Sequence, residues 1–407
     1  MVATRGQRSA AAAAAAAPAS VRRALQSEDV LTGVLSQLDV REGCLRSVAS
    51  VSKAWRSAWR RRCAGRYRLL RTRIGDFRHT NHVTALASGG AVVSDYGHFQ
   101  LEAFSRDGDR QAIYCEQFST PGAMALLGDG TAWVLAKDNE AVCRVRWQDG
   151  VGAQQPSHRW PNRWSHDGTF GDPHGRILSH VDFHSLGASE TPRIYLEEPC
   201  DLAVSGDRLL VLCRSAWFGR ICVLDSQTGE FLYHFGPASE AGEDELRMPR
   251  SLAVHQDLCF VADTYNHAIK IFNFRQRELV RTIGSTATTP SFAEFGDMDP
   301  YYIMCHRRDA RRSDLPCEFN EPVGVAFRDG RLYVSEGRGR RIQILRFANG
   351  CHGSVECLQI IESPYGRPLA GLCVSGDRLW CLGQARGRSD ATMPYTEGCL
   401  HLFAAYV

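Results

Sequence analysis

From about residue 76 onward, apolar and polar positions alternate with period two, and the runs are punctuated by Gly-Asp and Asp-Gly. That is the signature of half-buried strands joined by tight turns. The pattern also repeats. Val83-Thr-Ala-Leu-Ala87 leads to Ala91-Val-Val-Ser-Asp95, and Pro121-Gly-Ala-Met-Ala-Leu126 to Ala132-Trp-Val-Leu-Ala136. Pro199-Cys-Asp-Leu-Ala-Val204 leads to Leu209-Leu-Val-Leu-Cys213, and Pro249-Arg-Ser-Leu-Ala-Val254 to Cys259-Phe-Val-Ala-Asp263. Pro322-Val-Gly-Val-Ala-Phe327 leads to Leu332-Tyr-Val-Ser-Glu336, and Pro368-Leu-Ala-Gly-Leu-Cys-Val374 to Leu379-Trp-Cys-Leu-Gly383. The clearest units add a third strand, Ala268-Ile-Lys-Ile-Phe272 or Arg341-Ile-Gln-Ile-Leu345, and a fourth, Glu278-Leu-Val-Arg-Thr-Ile283. A lone four-stranded sheet cannot bury both faces, so six such units predict a six-bladed β-propeller over residues 67–407. The last unit has a third strand at Cys399 to Phe403 and almost no chain for a fourth. Leu69-Leu-Arg-Thr-Arg-Ile74 reads like Leu279-Val-Arg-Thr-Ile283, so residues 67–75 are expected to supply the outer strand that closes the ring.

Ahead of the strands the period changes. Val30, Leu31, Val34, Leu35 and Leu38 recur at helical spacing, with Ser27 as N-cap and Glu28 and Asp29 at the positive end of the dipole. Cys44, Leu45 and Val48 form a second apolar set, and Val51, Trp55 and Trp59 a third. The reading is three short helices within residues 26–64. About nine large apolar side chains, at roughly 1.5–3 kcal/mol each when buried, fall short of the entropy of ordering some 35 residues. Such a unit needs a partner or a neighbouring domain to pack on. Residues 1–25, with the alanine run 10–17 ended by Pro18, are read as a disordered tail. Its arginines and its lack of acid before Glu28 are also features of an organelle transit peptide.

The formal net charge of +3 conceals an asymmetry. Residues 1–78 hold 16 Lys and Arg against 5 Asp and Glu, a net of +11; the rest hold 32 against 40, a net of −8. A broad basic face on the propeller is therefore not expected. The 15 cysteines include no Cys-x-x-Cys pair, and several lie inside apolar strands, so they are read as buried reduced thiols. No apolar run approaches the length of a membrane span.

Val30-Leu-Thr-Gly-Val-Leu-Ser-Gln-Leu38 followed by Val48-Ala-Ser-Val-Ser-Lys-Ala-Trp-Arg56 resembles an F-box over about 40 residues. Gln26 and Ser27 stand where that family usually opens with Leu-Pro, and Gly33 in mid-helix costs about 1 kcal/mol against Ala. The unit at 249–272, with Asn266-His267, resembles the NHL repeat; in the 322–345 unit Gly339-Arg340 replaces that pair. The resemblances imply a mainly β protein with a small α module: an N-terminal F-box followed by an NHL-like six-bladed propeller. They imply that Val30, Leu31, Val34, Leu35, Leu38, Leu45, Val48, Val51 and Trp55 bind a Skp-family adaptor, and through it a cullin-RING complex. The chain would then be the non-catalytic substrate receptor of an SCF-type ubiquitin ligase, cytoplasmic or nuclear, without cofactor.

Two stretches, about 148–198 and 285–320, break the repeat spacing and are read as insertions between one unit and the next. That junction shares a face with the turns between second and third strands, which would gather Trp217, Phe218, Tyr265, His267, Arg338 and Arg340 as candidate substrate contacts. Two other functions stay open. An RNA-binding NHL propeller needs a local basic patch, for which Arg307, Arg308, Arg311 and Arg312 are candidates. A propeller hydrolase or lyase needs a central His or carboxylate cluster. Asp95, Asp263 and Glu336 close second strands and are expected instead to cap backbone groups at turns. The chain has no Gly-rich phosphate loop, nucleophile elbow or His-Glu-x-x-His.

Overall fold

The structure is a computed structural model that describes residues 66–78, 80–115, 121–136, 141–147, 177–182, 199–215, 218–236, 245–284, 314–348, 350–351, 353–384 and 397–405. The helical segment with its adaptor-contact residues, and Trp217, lie outside these residues.

After β1 (Tyr67–Arg78), blade 1 comprises β2 (His82–Ala85), β3 (Ala91–Asp95), β4 (Gln100–Phe104) and β5 (Arg110–Cys115). Blade 2 comprises β6 (Pro121–Leu126), β7 (Thr131–Ala136), β8 (Ala141–Arg146) and β9 (Ile177–Asp182). Blade 3 comprises β10 (Pro199–Ser205), β11 (Arg208–Ser215), β12 (Phe218–Asp225) and β13 (Phe231–Phe235), with β14 (Leu246–Arg247) also paired to β12. Blade 4 is β15 (Ser251–His255), β16 (Leu258–Asp263), β17 (Ala268–Asn273) and β18 (Glu278–Gly284). Blade 5 is β19 (Pro322–Arg328), β20 (Arg331–Glu336), β21 (Arg341–Phe347) and β22 (Val355–Glu362). Blade 6 is β23 (Leu369–Ser375), β24 (Arg378–Gln384) and β25 (Glu397–Ala405), and its fourth strand is β1. The ring thus joins on a sheet built from both ends of the strand-forming region.

Each sheet is an antiparallel meander whose first strand lines the axis. Those first strands touch in sequence around the ring, and β23 meets β2. Pro121, Pro199 and Pro322 are the first residues of their strands, where a missing N–H costs the ladder nothing, and the register shifts just after each of them. A second irregularity recurs between third and fourth strands, at Ala103/Phe104, Arg144/Val145, Val223/Leu224, Ile271/Phe272 and Ile344/Leu345. Bulges of this kind increase local twist, which lets outer strands splay as a blade widens from the axis.

The core lies between blades. Blades 1 and 2 bury Val92, Leu101, Met124 and Val134 together. Blades 3 and 4 bury Leu212, Ile221, Val261 and Phe272. At the closure Phe77 of β1 meets Phe104 of blade 1 edge-to-face at 5.9 Å, in a cluster with Ile74, Trp380 and Leu402. Blade contact here is close: a Cβ on Gly371 of β23 would stand 2.1 Å from the Asn81 carbonyl oxygen, so only glycine fits. The two largest fully buried side chains each keep their indole N–H satisfied by a neighbouring blade. Trp133 donates to the Ser226 carbonyl at 2.8 Å and Trp380 to the Gly89 carbonyl at 3.3 Å.

The expected insertion at 148–198 is not a single junction. β9 pairs with β8 through Val142↔Val181 and Cys143↔His180, so it is the fourth strand of blade 2. The stretch 148–176 therefore joins third strand to fourth and leaves from the opposite end of the blade. Only 183–198 connects blade 2 to blade 3.

Candidate functional site

An up-and-down blade has two ends. We call upper the face that carries the turns from second to third strand and the junctions between blades. The candidate contacts named from the sequence belong to this face, and its turns in blades 1, 4 and 5 share one construction. A carboxylate ends the second strand and accepts the main-chain N–H of the segment entering that blade. Asp95 takes the Arg78 N–H at 3.0 Å, Asp263 the Arg247 N–H at 2.6 Å, and Glu336 the Asn320 N–H at 2.8 Å. Four residues on, the chain passes through the left-handed region, at Phe99 (φ 57), His267 (φ 51) and Arg340 (φ 53).

The turns differ in what meets the carboxylate. In blade 1 the His98 Nδ1 lies 2.7 Å from Asp95 Oδ2; in blade 4 the Asn266 amide donates to Asp263 Oδ2 at 2.7 Å. Blade 5 has Glu336 and Gly339 instead. A Cβ on Gly339 would stand 2.1 Å from Glu336 Oε2, so the longer carboxylate fills the space that a turn side chain takes elsewhere.

Beneath the turns the charges are buried and paired. Lys270 Nζ is 3.2 Å from Asp263 Oδ2 and donates to the Glu245 carbonyl, while Arg247 Nε sits 2.5 Å from Glu245 Oε1. In blade 5, Arg341 Nε and Gln343 Nε2 both donate to Glu336 Oε1 at 2.8 Å, and Arg341 reaches on to the Asp314, Leu315 and Glu318 carbonyls. Burial pushes the Asp263 and Glu336 carboxyls above the usual carboxylate range, and the cations and amide donors beside them pull the other way. These groups fix loops to blades. Among the described residues no three His, Cys, Asp or Glu side chains converge as metal ligands.

The structure separates the candidate contacts. His267 is buried, and its Nδ1 accepts the Glu321 N–H at 3.0 Å, so it ties blade 4 to blade 5 and is removed from the surface set. Tyr265 is half-buried in a 3-10 turn, Thr264–Asn266. Phe218 opens β12, paired with Ser215 and Arg247. Arg338 and Arg340 are exposed on one turn; Arg338 Nε pairs with Glu321 Oε1 at 2.7 Å. Sequence reasoning missed two exposed aromatics of the same face. Phe99 is 54% exposed, and Tyr365, at the turn between blades 5 and 6 with φ 64, is 62% exposed. The Ser363 N–H donates to the Arg340 carbonyl at 2.8 Å, which sets the Tyr365 turn beside the arginine turn. Bulky residues are rarely held at positive φ, and that oddity cannot be read from composition.

Residues 27–66 match the F-box domain family. No curated protein matches the chain significantly. Among solved structures, a luciferin-regenerating enzyme is similar over 82% of this chain and 93% of its own, at 11% identity and a TM-score of 0.50. A virginiamycin B lyase from Staphylococcus aureus is similar over 83% of this chain and 98% of its own, at 11% identity and TM-score 0.45. The WD40 propeller domain of Doa1 is similar over 83% and 97%, at 10% identity and TM-score 0.43. At such identities the likeness is one of fold alone. Among the described residues no helix is long and apolar enough to cross a membrane.

Proposed function

We propose that this F-box and propeller chain is the substrate receptor of an SCF-type ubiquitin ligase. The F-box match at residues 27–66 carries the reading. F-box domains bind Skp-family adaptors, which connect to a cullin and a RING protein. A propeller beside such a module supplies a rigid ring on which a protein substrate can be held. The chemistry of transfer belongs to other subunits, and this chain acts by raising the local concentration of substrate at the ligase. The paired, backbone-capping carboxylates of the upper face agree with a binding scaffold. The repeat is read as NHL-like on the Asn266-His267 unit. The adaptor contacts are proposed to be Val30, Leu31, Val34, Leu35, Leu38, Leu45, Val48, Val51 and Trp55.

The test is co-purification. Wild-type protein should bring down a Skp-family adaptor and a cullin. Leu35→Asp and Trp55→Ala should each abolish both, with the propeller's melting temperature unchanged. A wild-type protein that binds no adaptor would end the receptor reading.

A further inference from the structure

The sequence reads the cysteines as buried thiols, and eight of those among the described residues are buried. Cys317, Cys351 and Cys357 differ. They are half-buried along the seam between blades 4 and 5, packed against the core that holds Phe260, Val325 and Leu345. Cys317 lies in the segment entering blade 5, Cys351 between β21 and β22, and Cys357 on β22, the outermost strand of that blade. The chain reaches Cys317 through Asp314, Leu315 and Pro316, all exposed, so solvent borders the site.

Two of the three meet on one side chain. Gln343 of β21 is buried; its Oε1 accepts the Cys317 N–H at 2.9 Å and lies 3.8 Å from Cys357 Sγ. Cys317 Sγ lies 3.9 Å from the carbonyl oxygen of Val355, two residues before Cys357 on the same strand. Cys317 is also pinned on both sides. Arg341 donates to the Leu315 and Glu318 carbonyls at 3.2 and 3.0 Å, and Cys317 itself sits at φ 63. Cys351 is held elsewhere, its carbonyl accepting from Arg281 of blade 4 at 3.4 Å. Cys213 and Cys222 make a different kind of pair. Their sulfurs are 3.8 Å apart, but both residues are buried, and they occupy diagonal positions of β11 and β12. Diagonal α-carbons stand roughly 7–8 Å apart, beyond the roughly 4.4–6.8 Å that a disulfide spans. Burial raises the Cys317, Cys351 and Cys357 thiols, Cys357 to about 11, so at neutral pH they rest protonated.

We propose that Cys317 and Cys357 form an oxidation site, a thiol pair that a hydroperoxide converts to a disulfide. The thiolate of one cysteine attacks the peroxide. A sulfur–oxygen bond forms, the oxygen–oxygen bond breaks, and the departing hydroxide takes up a proton and leaves as water; the product is a sulfenic acid. The second thiolate attacks that sulfur, a sulfur–sulfur bond forms, the sulfur–oxygen bond breaks, and a second water leaves. Two thiols and one hydrogen peroxide thus give one disulfide and two waters, the sulfurs losing the two electrons that the peroxide gains. The bond ties the segment entering blade 5 to the outer strand of that blade and closes a loop of about 40 residues. The same segment carries Asn320 and Glu321, which hold the upper turn through Glu336 and Arg338, so oxidation acts on the base of the Arg338 and Arg340 turn. This site stands whether or not the chain is a ligase receptor.

The experiment is peptide mapping of reduced full-length protein, exposed to a small excess of hydrogen peroxide and then alkylated. Cleavage after Arg and Glu places the three cysteines in separate peptides, 313–318, 347–356 and 357–362. A cross-linked pair of 313–318 with 357–362 should form, and dithiothreitol should release it. Its rate of formation should rise about tenfold per pH unit from pH 7 to 9, because the thiolate is the attacking form. Cys317→Ser should abolish the link and let Cys357 run on to sulfinic acid, and Cys357→Ser should do the same to Cys317. Melting curves identify any variant that fails to fold, and the wild-type cross-link decides the proposal even then. Absence of the link would overturn it. So would a link through Cys351, or peroxide that consumes the buried cysteines while Cys317 and Cys357 stay free.

Discussion

The two faces of the ring solve opposite problems. The lower face carries the tight turns, and its arginines and aspartates are paired across blade seams. Arg106 reaches Asp377 at 2.7 Å from blade 1 to blade 6, and Arg275 reaches Asp207 at 2.9 Å from blade 4 to blade 3. Arg144 of blade 2 donates to the Gln227 carbonyl of blade 3. The upper face buries its paired charges beneath the turns and leaves other groups outward. Arg340 is exposed on its turn, and Phe99 and Tyr365 are exposed at positive φ. A face that consumes its own charges has little left for a partner. The difference is why the proposed substrate contacts are sought on the upper face.

The largest effect should come from breaking the closure on which both faces depend. Removing residues 1–64 should leave a folded ring. Removing 1–78 also takes β1, with Ile74 and Phe77 of the closing core, and opens a sheet edge. At roughly 1.5–3 kcal/mol per buried side chain plus the lost ladder, the melting temperature should fall by more than about 10 °C. Equal thermal stability of the two truncations would contradict closure by β1.

Next is the buried network under the upper turns. Glu336→Ala strands Arg341, which is 4% exposed, and leaves the Asn320 N–H without its acceptor. Removing one partner of a buried ion pair typically costs about 3–5 kcal/mol, and the carbonyls of Asp314, Leu315 and Glu318 that Arg341 keeps place this loss toward the lower end. Denaturant titration should show a loss of that order. A loss under about 1 kcal/mol would mean that solvent reaches the cluster.

Smallest should be the lower-face ion pairs. Arg275→Ala removes contacts to both Asp207 and Asp257, but all three side chains are about half-exposed. Exposed pairs contribute less than about 1 kcal/mol, so the stability change should stay within that. A larger loss would mean that the lower seams, like the network under the upper turns, hold the blades together.

Much of the ring was legible because its two signals are local. Short apolar runs bounded by tight-turn residues mark the opening strand pairs, and proline opens β6, β10 and β19, where no N–H is needed. The Glu336 and Gly339 pairing could be read as a covariation with Asp263 and Asn266 once the repeat was aligned. What escaped was long-range. Ile177-Leu-Ser-His-Val-Asp182 is one short strand in a polar stretch, and only its pairing with β8 marks it as part of blade 2. His267 looked like a surface residue because its turn is at the surface, yet its ring points into the blade junction.

The most direct test of the contrast compares partners. A combined Trp217→Ala, Arg338→Ala, Arg340→Ala variant of the upper face and an Arg144→Ala, Arg275→Ala variant of the lower face would be purified from the same cells. The account predicts that both keep the adaptor and cullin, and that only the upper-face variant loses the remaining partner set by quantitative proteomics. Loss of those partners from the lower-face variant, with the upper-face variant unchanged, would contradict it.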